Sequence, residues 1–322
     1  MKLKGIVEEF LSQVPMSLRP RMHPLKGFAH PWLVARDDEL SFGISGSKLR
    51  KPLSLARHWQ SQGIKHVVAM GGARSNHLVA TLQVCHELGI DCDIVTPKTY
   101  AQDVSGNAFF LSLLARDDRI HSLAPEDWET RKDFIGSLLS RRGDGNSFVM
   151  EEGGYSQHAL LGGLSLGYYL ADRMESEYRP TIVLDAGTGG IAASCAVYLT
   201  LAGYQGKIAV VHMAGLAGWD KVLRDTVQWT EALIQEPVAL PSVVSYRPPS
   251  AASFGATSQS VFLEIIKQAR ENGILTDPIY SGKLFMTMRY YEEQGELDGG
   301  IAVHSGGALA LEGFRDKIIK YL

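Results

Sequence analysis

The stretch VLDAGTGGIAAS, Val183 to Ser194, decides how this chain is read. An apolar run that suits a strand breaks at Gly187-Thr188-Gly189-Gly190 and resumes as small residues of helical character. Backbone N–H groups gathered at a helix N-terminus, with no Cβ in the way, form a cradle for an anion such as a phosphate. A tight turn with close helix packing would use the same residues. The dinucleotide fingerprint is a further reading, because Gly187-x-Gly189-x-x-Ala192 has its spacing; that fingerprint also expects a ribose-binding acid at the end of the next strand. Here the next strand reads KIAVVHMAG, with His212 and Met213 in the acid's place. The phosphate reading survives and the NAD reading weakens.

Outward from this segment the same pattern repeats. Short β-rich runs at His66 to Met70, Cys92 to Thr96, Ser147 to Met150, Thr181 to Asp185, Lys207 to Met213 and Gly300 to His304 alternate with segments of helical period. Alternation of this kind predicts parallel βαβ units in an α/β fold. Helices are expected over Asn76 to Leu88, with Leu78, Leu82, Cys85 and Leu88 on one face, and over Ser258 to Asn272; each ends before a glycine. The polar segment Arg116 to Glu129 reads as a surface connection. No repeat or low-complexity linker divides the chain, so lobes are expected by topology: a smaller one over residues 52–153 and a larger one over 1–51 and 154–322.

Composition narrows the classes. The 322 residues are 45% apolar and 21% charged, with 32 basic against 35 acidic side chains, an ordinary globular balance with no basic stripe for nucleic acid or an anionic membrane. Cys85, Cys92 and Cys195 form no CxxC pair, and no histidine pair has HxH, HxxxH or HExxH spacing, so neither a disulfide framework nor a metal site is expected. Glu8 and Glu9 interrupt what a signal core would need, so the N-terminal segment reads as a short amphipathic helix and the expected compartment is the cytoplasm. Residues Ala186 to Gly206 carry no charge. The glycines at both ends nevertheless leave a helix of only about 18 Å, a buried helix rather than a membrane span.

Four segments could carry chemistry where strands hand over to helices, the edge at which parallel α/β sheets bind ligands. Besides the glycine loop, MGGARSNHLVA (Met70 to Ala80) places Ser75, Asn76 and His77 at a helix start, as ordinary caps or as groups for a carboxylate or phenolate oxygen. SFGISGSKLRKPL presents Lys48 before a helix expected to start at Pro52; the lysine is either a solvated charge or an imine-forming amine. Ser45-x-x-Lys48 also has penicillin-binding spacing but lacks the companion motifs. His304 and Ser305 in GGIAVHSGGALA, read as strand, turn and helix, and Tyr280 in TDPIYSGK, are candidates of the same kind. Gly163-Leu164-Ser165-Leu166-Gly167 has the nucleophile-elbow pattern of hydrolases, yet His158 to Leu170 reads as continuous helix where the elbow needs a strand.

Taken in order, these segments resemble the pyridoxal-phosphate-dependent family of 1-aminocyclopropane-1-carboxylate deaminase and D-cysteine desulfhydrase. ARDDEL is similar to the family's RDD segment, GSKLRK to GNKxRK, GGARSNH to GxxQSNH, DAGTGG to its phosphate loop, TDPIYSGK to LDPVYxGK and VHSGG to HTGG. The resemblance implies a two-lobed, three-layer αβα architecture with parallel-rich sheets, the tryptophan-synthase-β-like fold type II. It implies pyridoxal 5'-phosphate as cofactor, Lys48 as the lysine that binds it covalently, Gly187, Thr188, Gly189, Gly190 and Ile191 as its phosphate cradle, and Asn76 against its phenolic oxygen. By the same resemblance Ser75 meets the substrate, Ser305 faces the pyridine nitrogen, and Tyr280 is an active-site tyrosine.

The implied activity is that of a lyase or deaminase on a small amino acid, with D-cysteine elimination to pyruvate, ammonia and sulfide foremost. A neutral Ser305 would leave the pyridine nitrogen largely unprotonated and favour elimination over transamination. Ring-opening deamination of 1-aminocyclopropane-1-carboxylate is the alternative, and a non-catalytic phosphate-ligand binding protein is another. The family implies a homodimer. Three positions depart from its pattern: Ala302 where the deaminases carry a second tyrosine, Arg74 where the family has Gln, and Gly154-Tyr155-Ser156 in place of a small-residue turn. Arg74 either favours an acidic substrate or points to solvent.

Overall fold

The computed structural model describes residues 2–43, 46–98, 105–143, 145–173 and 179–322. Ten strands form two sheets among them: β1 (Arg21–Leu25), β2 (Trp32–Arg36), β3 (His66–Met70), β4 (Asp91–Pro97), β5 (Ile120–Leu123), β6 (Ser147–Met150), β7 (Thr181–Ala186), β8 (Ile208–His212), β9 (Val244–Tyr246) and β10 (Gly300–His304). The larger sheet has the order β1-β2-β10-β7-β8-β9 and the smaller β5-β4-β3-β6. Every pairing is parallel except β1 with β2. The fold is therefore the α/β class that the strand and helix alternation predicts.

The helices are α1 (Lys2–Gln13), α2 (Arg50–Ser61), α3 (Asn76–Leu88), α4 (Asn107–Leu114), α5 (Arg131–Arg142), α6 (Leu160–Ala171), α7 (Gly190–Leu201), α8 (Trp219–Ile234), α9 (Gln259–Asn272), α10 (Ser281–Glu293) and the short α11 (Arg315–Ile318). Central strands β3, β8 and β10 are buried at every position, as expected of parallel strands covered on both faces. Sequence chemistry sets the helix ends: Ser75 accepts from the His77 N–H at the start of α3, Ser258 accepts from Val261 at the start of α9, and left-handed Gly89 and Gly273 stop both. In α1, Leu3, Val7 and Phe10 recur at helical spacing and are buried, which is the amphipathic helix read from the sequence.

Several expectations need correction. The segment Arg116 to Glu129 contains the edge strand β5. Helix α2 starts at Arg50 rather than Pro52, which sits in its first turn, where the missing N–H of proline costs nothing. After β10 the chain makes a 3-10 turn over Ala308–Phe314, not an α-helix. Ser165 lies in mid-α6, accepting from Arg50 and donating to the Gly162 carbonyl, so the elbow has no strand before it and a serine hydrolase is excluded. No helix among the described residues is long and apolar enough to cross a membrane, and no group of three or more His, Cys, Asp or Glu could hold a metal.

One buried ion pair joins the layers. Arg50, at the start of α2, donates from Nε and a terminal nitrogen to both oxygens of Asp37 just after β2, at 2.9 and 2.5 Å, and both side chains are fully buried. Its remaining donors reach Ser165 at 2.7 Å and the Leu18 carbonyl at 2.6 Å. The RDD segment is thus an anchor, with Arg36 held by Asp38 at 2.7 Å beside it. Removing one partner of such a pair strands a buried charge, so Asp37→Ala should lower unfolding stability by ~3–5 kcal/mol in urea titrations. A loss under ~1 kcal/mol, the scale of an exposed pair, would contradict that anchoring role.

Candidate active site

Both sheets reverse strand order beside their first central strand, and the loops at these points face one cleft. In the smaller sheet β4 and β6 flank β3, and in the larger β8 and β10 flank β7. Such switch points open a crevice at the C-terminal ends of the strands. The cleft, of about 590 Å³, has Gly71–His77 after β3 and Glu152–Gly153 after β6 along one side, and Asp185–Ala192 with Tyr280 along the other.

Lys48 lies in a 3-10 turn, Gly46–Leu49, pinned where the Ser47 N–H donates to the Ser305 carbonyl at 2.8 Å. Its Nζ stands 4.9 Å from the centroid of the Tyr280 ring. Asp277 places that ring: its carboxylate accepts from the N–H groups of Ile279 and Tyr280 at 2.8 Å and Ser281 at 3.1 Å, which accounts for the TDPIYS spelling. Phe254 meets Tyr280 edge-on at 5.9 Å. Burial pushes the Tyr280 phenol pKa up, aided by Asp277 and Asp185, so the hydroxyl keeps its proton.

Gly187 to Ile191 all line the cleft. Gly189 caps α7 with φ +85°, a conformation that penalises a side chain, and no side chain caps the helix. The first-turn N–H groups of α7 are therefore open to a ligand. A Cβ on Gly187 would lie 3.0 Å from the Tyr280 ring, and one on Gly190 would lie 3.3 Å from Lys51 Nζ.

Lys51 is the residue the sequence reading missed. Three positions beyond Lys48, it shares the cleft; its Nζ donates to the Gly153 carbonyl at 2.6 Å and to Thr188 Oγ1 at 3.3 Å. Burial, then the charge of Lys48, lowers its pKa from 10.5 to about 7. A cation so deprived of water, set against open helix N–H groups, fits the phosphate of pyridoxal phosphate. The K-x-x-K spacing across a helix start was the available signal.

Across the cleft, Ser75 caps α3 and its hydroxyl proton remains free to donate. Asn107, also missed, gives its Nδ2 protons to Asn76 Oδ1 at 2.5 Å and to the Arg74 carbonyl at 3.1 Å. This occupies the oxygen of Asn76 and leaves its Nδ2 for a ligand acceptor. His77 is buried with no hydrogen-bond partner on either ring nitrogen, and burial with the charges of Lys51 and Lys48 lowers its pKa to about 3, keeping it neutral.

Ser305 lies beneath the Lys48 turn, its carbonyl accepting from the Ser47 N–H, and does not line the cleft itself; burial pushes the pKa of the Asp185 carboxyl up. His304 is a packing residue whose Nε2 meets the Leu275 carbonyl at 3.1 Å. Ala302 is fully buried in the core beside Val34 and Val183, away from the cleft. Tyr155 turns away as well, donating to Asp225 at 2.7 Å.

The sequence profile of pyridoxal-phosphate-dependent enzymes matches residues 13–306. The chain belongs to that family. A Pyrococcus horikoshii protein provisionally named 1-aminocyclopropane-1-carboxylate deaminase is 28% identical over 297 residues, covering 90% of this chain and 88% of its own. A D-cysteine desulfhydrase of Klebsiella pneumoniae is 24% identical, covering 92% of each. The crystal structure of an ACC deaminase homologue superposes with a TM-score of 0.85 at 23% identity, covering 98% of this chain and 99% of that one. These findings establish a fold type II pyridoxal-phosphate enzyme among deaminase and desulfhydrase relatives. The description as a hydrolase falls, since the family is defined by its cofactor and the elbow serine is buried in a helix.

Lys51 carries a measurable cost. With its pKa lowered to about 7 in the fold, the unfolded chain holds the extra proton between about pH 7 and 10.5, and stability should rise with pH across that window. Lys51→Met should reduce that rise in urea unfolding at pH 7 and 9, leaving the share of Lys283, whose pKa burial lowers to about 8. It should also weaken pyridoxal phosphate binding by at least about tenfold, the scale of one charge-assisted hydrogen bond. Unchanged cofactor affinity in a fluorescence titration would place the phosphate elsewhere.

Proposed function

We propose that this enzyme catalyses α,β-elimination from a small amino acid of the D-cysteine type, giving pyruvate, ammonia and sulfide. The observation that carries the reading is one amine, Lys48 Nζ, set beside the Tyr280 ring in a cleft that holds the Gly187–Ile191 cradle and Lys51. Bound pyridoxal phosphate supplies an electron sink conjugated to the substrate amino group.

The chain's residues do the rest. The first-turn N–H groups of α7 and the Lys51 ammonium would hold the phosphate, and Asn76 Nδ2 would donate to the ring's phenolic oxygen. Ser75 and the start of α3 take the substrate carboxylate, a helix N-terminus being suited to an anion. Lys48 Nζ would hold the cofactor covalently and, once free, would accept the substrate α-proton as general base. Tyr280 keeps its proton, so it serves as donor to the departing group and not as a second base.

Ring opening of 1-aminocyclopropane-1-carboxylate stays the alternative activity; a tyrosine at Ala302 would project into the core, so that position does not decide between the two. A homodimer in the cytoplasm belongs to the same proposal, in keeping with the unpaired Cys85, Cys92 and Cys195.

Purified protein supplied with pyridoxal phosphate should show an absorption band at ~410–430 nm that requires Lys48 and changes on adding D-cysteine. Lys48→Ala should lower sulfide release by ~10²–10⁴-fold, the usual contribution of a general base. A Lys48-dependent band without sulfide release would redirect the substrate assignment; no band would overturn the reading of the site. Retained cofactor with no turnover across an amino-acid panel would favour the binding-protein alternative.

A further inference from the structure

Three cationic side chains line the cleft, and two have work: Lys48 stands by Tyr280, and Lys51 stands at the phosphate cradle. The third, Arg74, has none. Its guanidinium makes a single contact, to Ser105 Oγ at 3.4 Å, and no carboxylate among the described residues pairs with it. The acidic groups nearby do not neutralise it. Asp185 and Glu152, which line the cleft, form no ion pair with Arg74, and Glu312 accepts the Gly106 N–H at 2.5 Å.

The backbone of Arg74 is nevertheless fixed. Asn107 holds its carbonyl at 3.1 Å, and the Ser75 N–H donates to the Gly72 carbonyl at 2.9 Å, so the side chain starts from a set point beside Ser75 and Asn76. Its reach toward Ser105 takes it to the loop before α4, where the buried Asn107 Oδ1 lacks a partner. Arg74 is itself exposed while it lines the cleft, so its guanidinium is open to a ligand entering from solvent.

We infer that Arg74 and Ser105 form a subsite for a second anionic group on the substrate, so that the preferred amino acid carries a side-chain carboxylate, sulfonate or phosphate. This rests on the reading above of an enzyme acting on a small amino acid, and puts an acidic side chain where D-cysteine carries its thiol. The planar guanidinium, steadied by Ser105 Oγ, which accepts from it, suits two parallel N–H bonds to such a group. The cofactor phosphate and substrate α-carboxylate already have Lys51 and the two helix N-termini, which leaves Arg74 to the side chain.

The test titrates the cofactor absorption of the holoenzyme with D- and L-aspartate and glutamate against D- and L-alanine, for wild type, Arg74→Gln and Arg74→Lys. In wild type the acidic member of the favoured hand should bind at least about tenfold more tightly than alanine, as a charged hydrogen bond gives. Arg74→Gln should erase that ratio and Arg74→Lys should keep part of it. A wild-type ratio near one overturns the proposal, as does a ratio that Arg74→Gln leaves in place, the result expected if the guanidinium holds the α-carboxylate common to all six ligands. If no amino acid perturbs the absorption, the amino-acid reading falls and this subsite with it.

Discussion

The turn that carries Lys48 and Lys51 has its geometry imposed by the residue between them. Arg50 spends its guanidinium on Asp37 at the end of β2, Ser165 on α6 and the Leu18 carbonyl, all away from water. Because those partners sit on different elements, the residues on either side of Arg50 have little freedom left. Lys48 is thereby turned toward Tyr280 and Lys51 toward Thr188. A buried guanidinium costs desolvation, repaid only with every donor satisfied. The site is accordingly built on the large sheet's edge and on the first turn of α2 together.

Charge within the cleft follows the same logic in reverse. Where Arg50 is satisfied inside the protein, Lys51 is only partly so: a carbonyl and a hydroxyl accept from it, and burial still drives its pKa down to about 7. His77 lacks any partner and is held neutral. Groups left short of partners in a folded interior mark where the structure expects something else to bind. The glycine loop, with no side chain capping the N-terminus of α7, presents matching donors beside Lys51.

Much of this was legible in the sequence. Strands His66–Met70, Ser147–Met150 and Gly300–His304 and helix Asn76–Leu88 fall where their apolar periodicity puts them, because each is long or flanked by glycine. Strands β1, β2, β5 and β9 were not read. They have three to five residues, lie at or beside sheet edges, and carry polar or proline positions such as those in RMHPL. Their strand character comes from pairing partners, which local pattern does not show. Lys48, Ser75, Asn76, Tyr280 and Gly187 to Ile191 line one cleft, while Ser305 meets the Lys48 turn through its carbonyl without lining it. Lys51, Asn107 and Asp185 escaped because their roles arise across the fold: each is ordinary in sequence and acquires meaning from a neighbour on another loop.

The central claim is that Lys48, and not its neighbour Lys51, is the amine that engages the cofactor. Borohydride reduction of protein loaded with pyridoxal phosphate, followed by peptide mass spectrometry, tests this directly. The account predicts the phosphopyridoxyl group on Lys48 alone, with Lys51 unmodified beside it. Modification at Lys51, or at neither lysine of the GSKLRK segment, would contradict it.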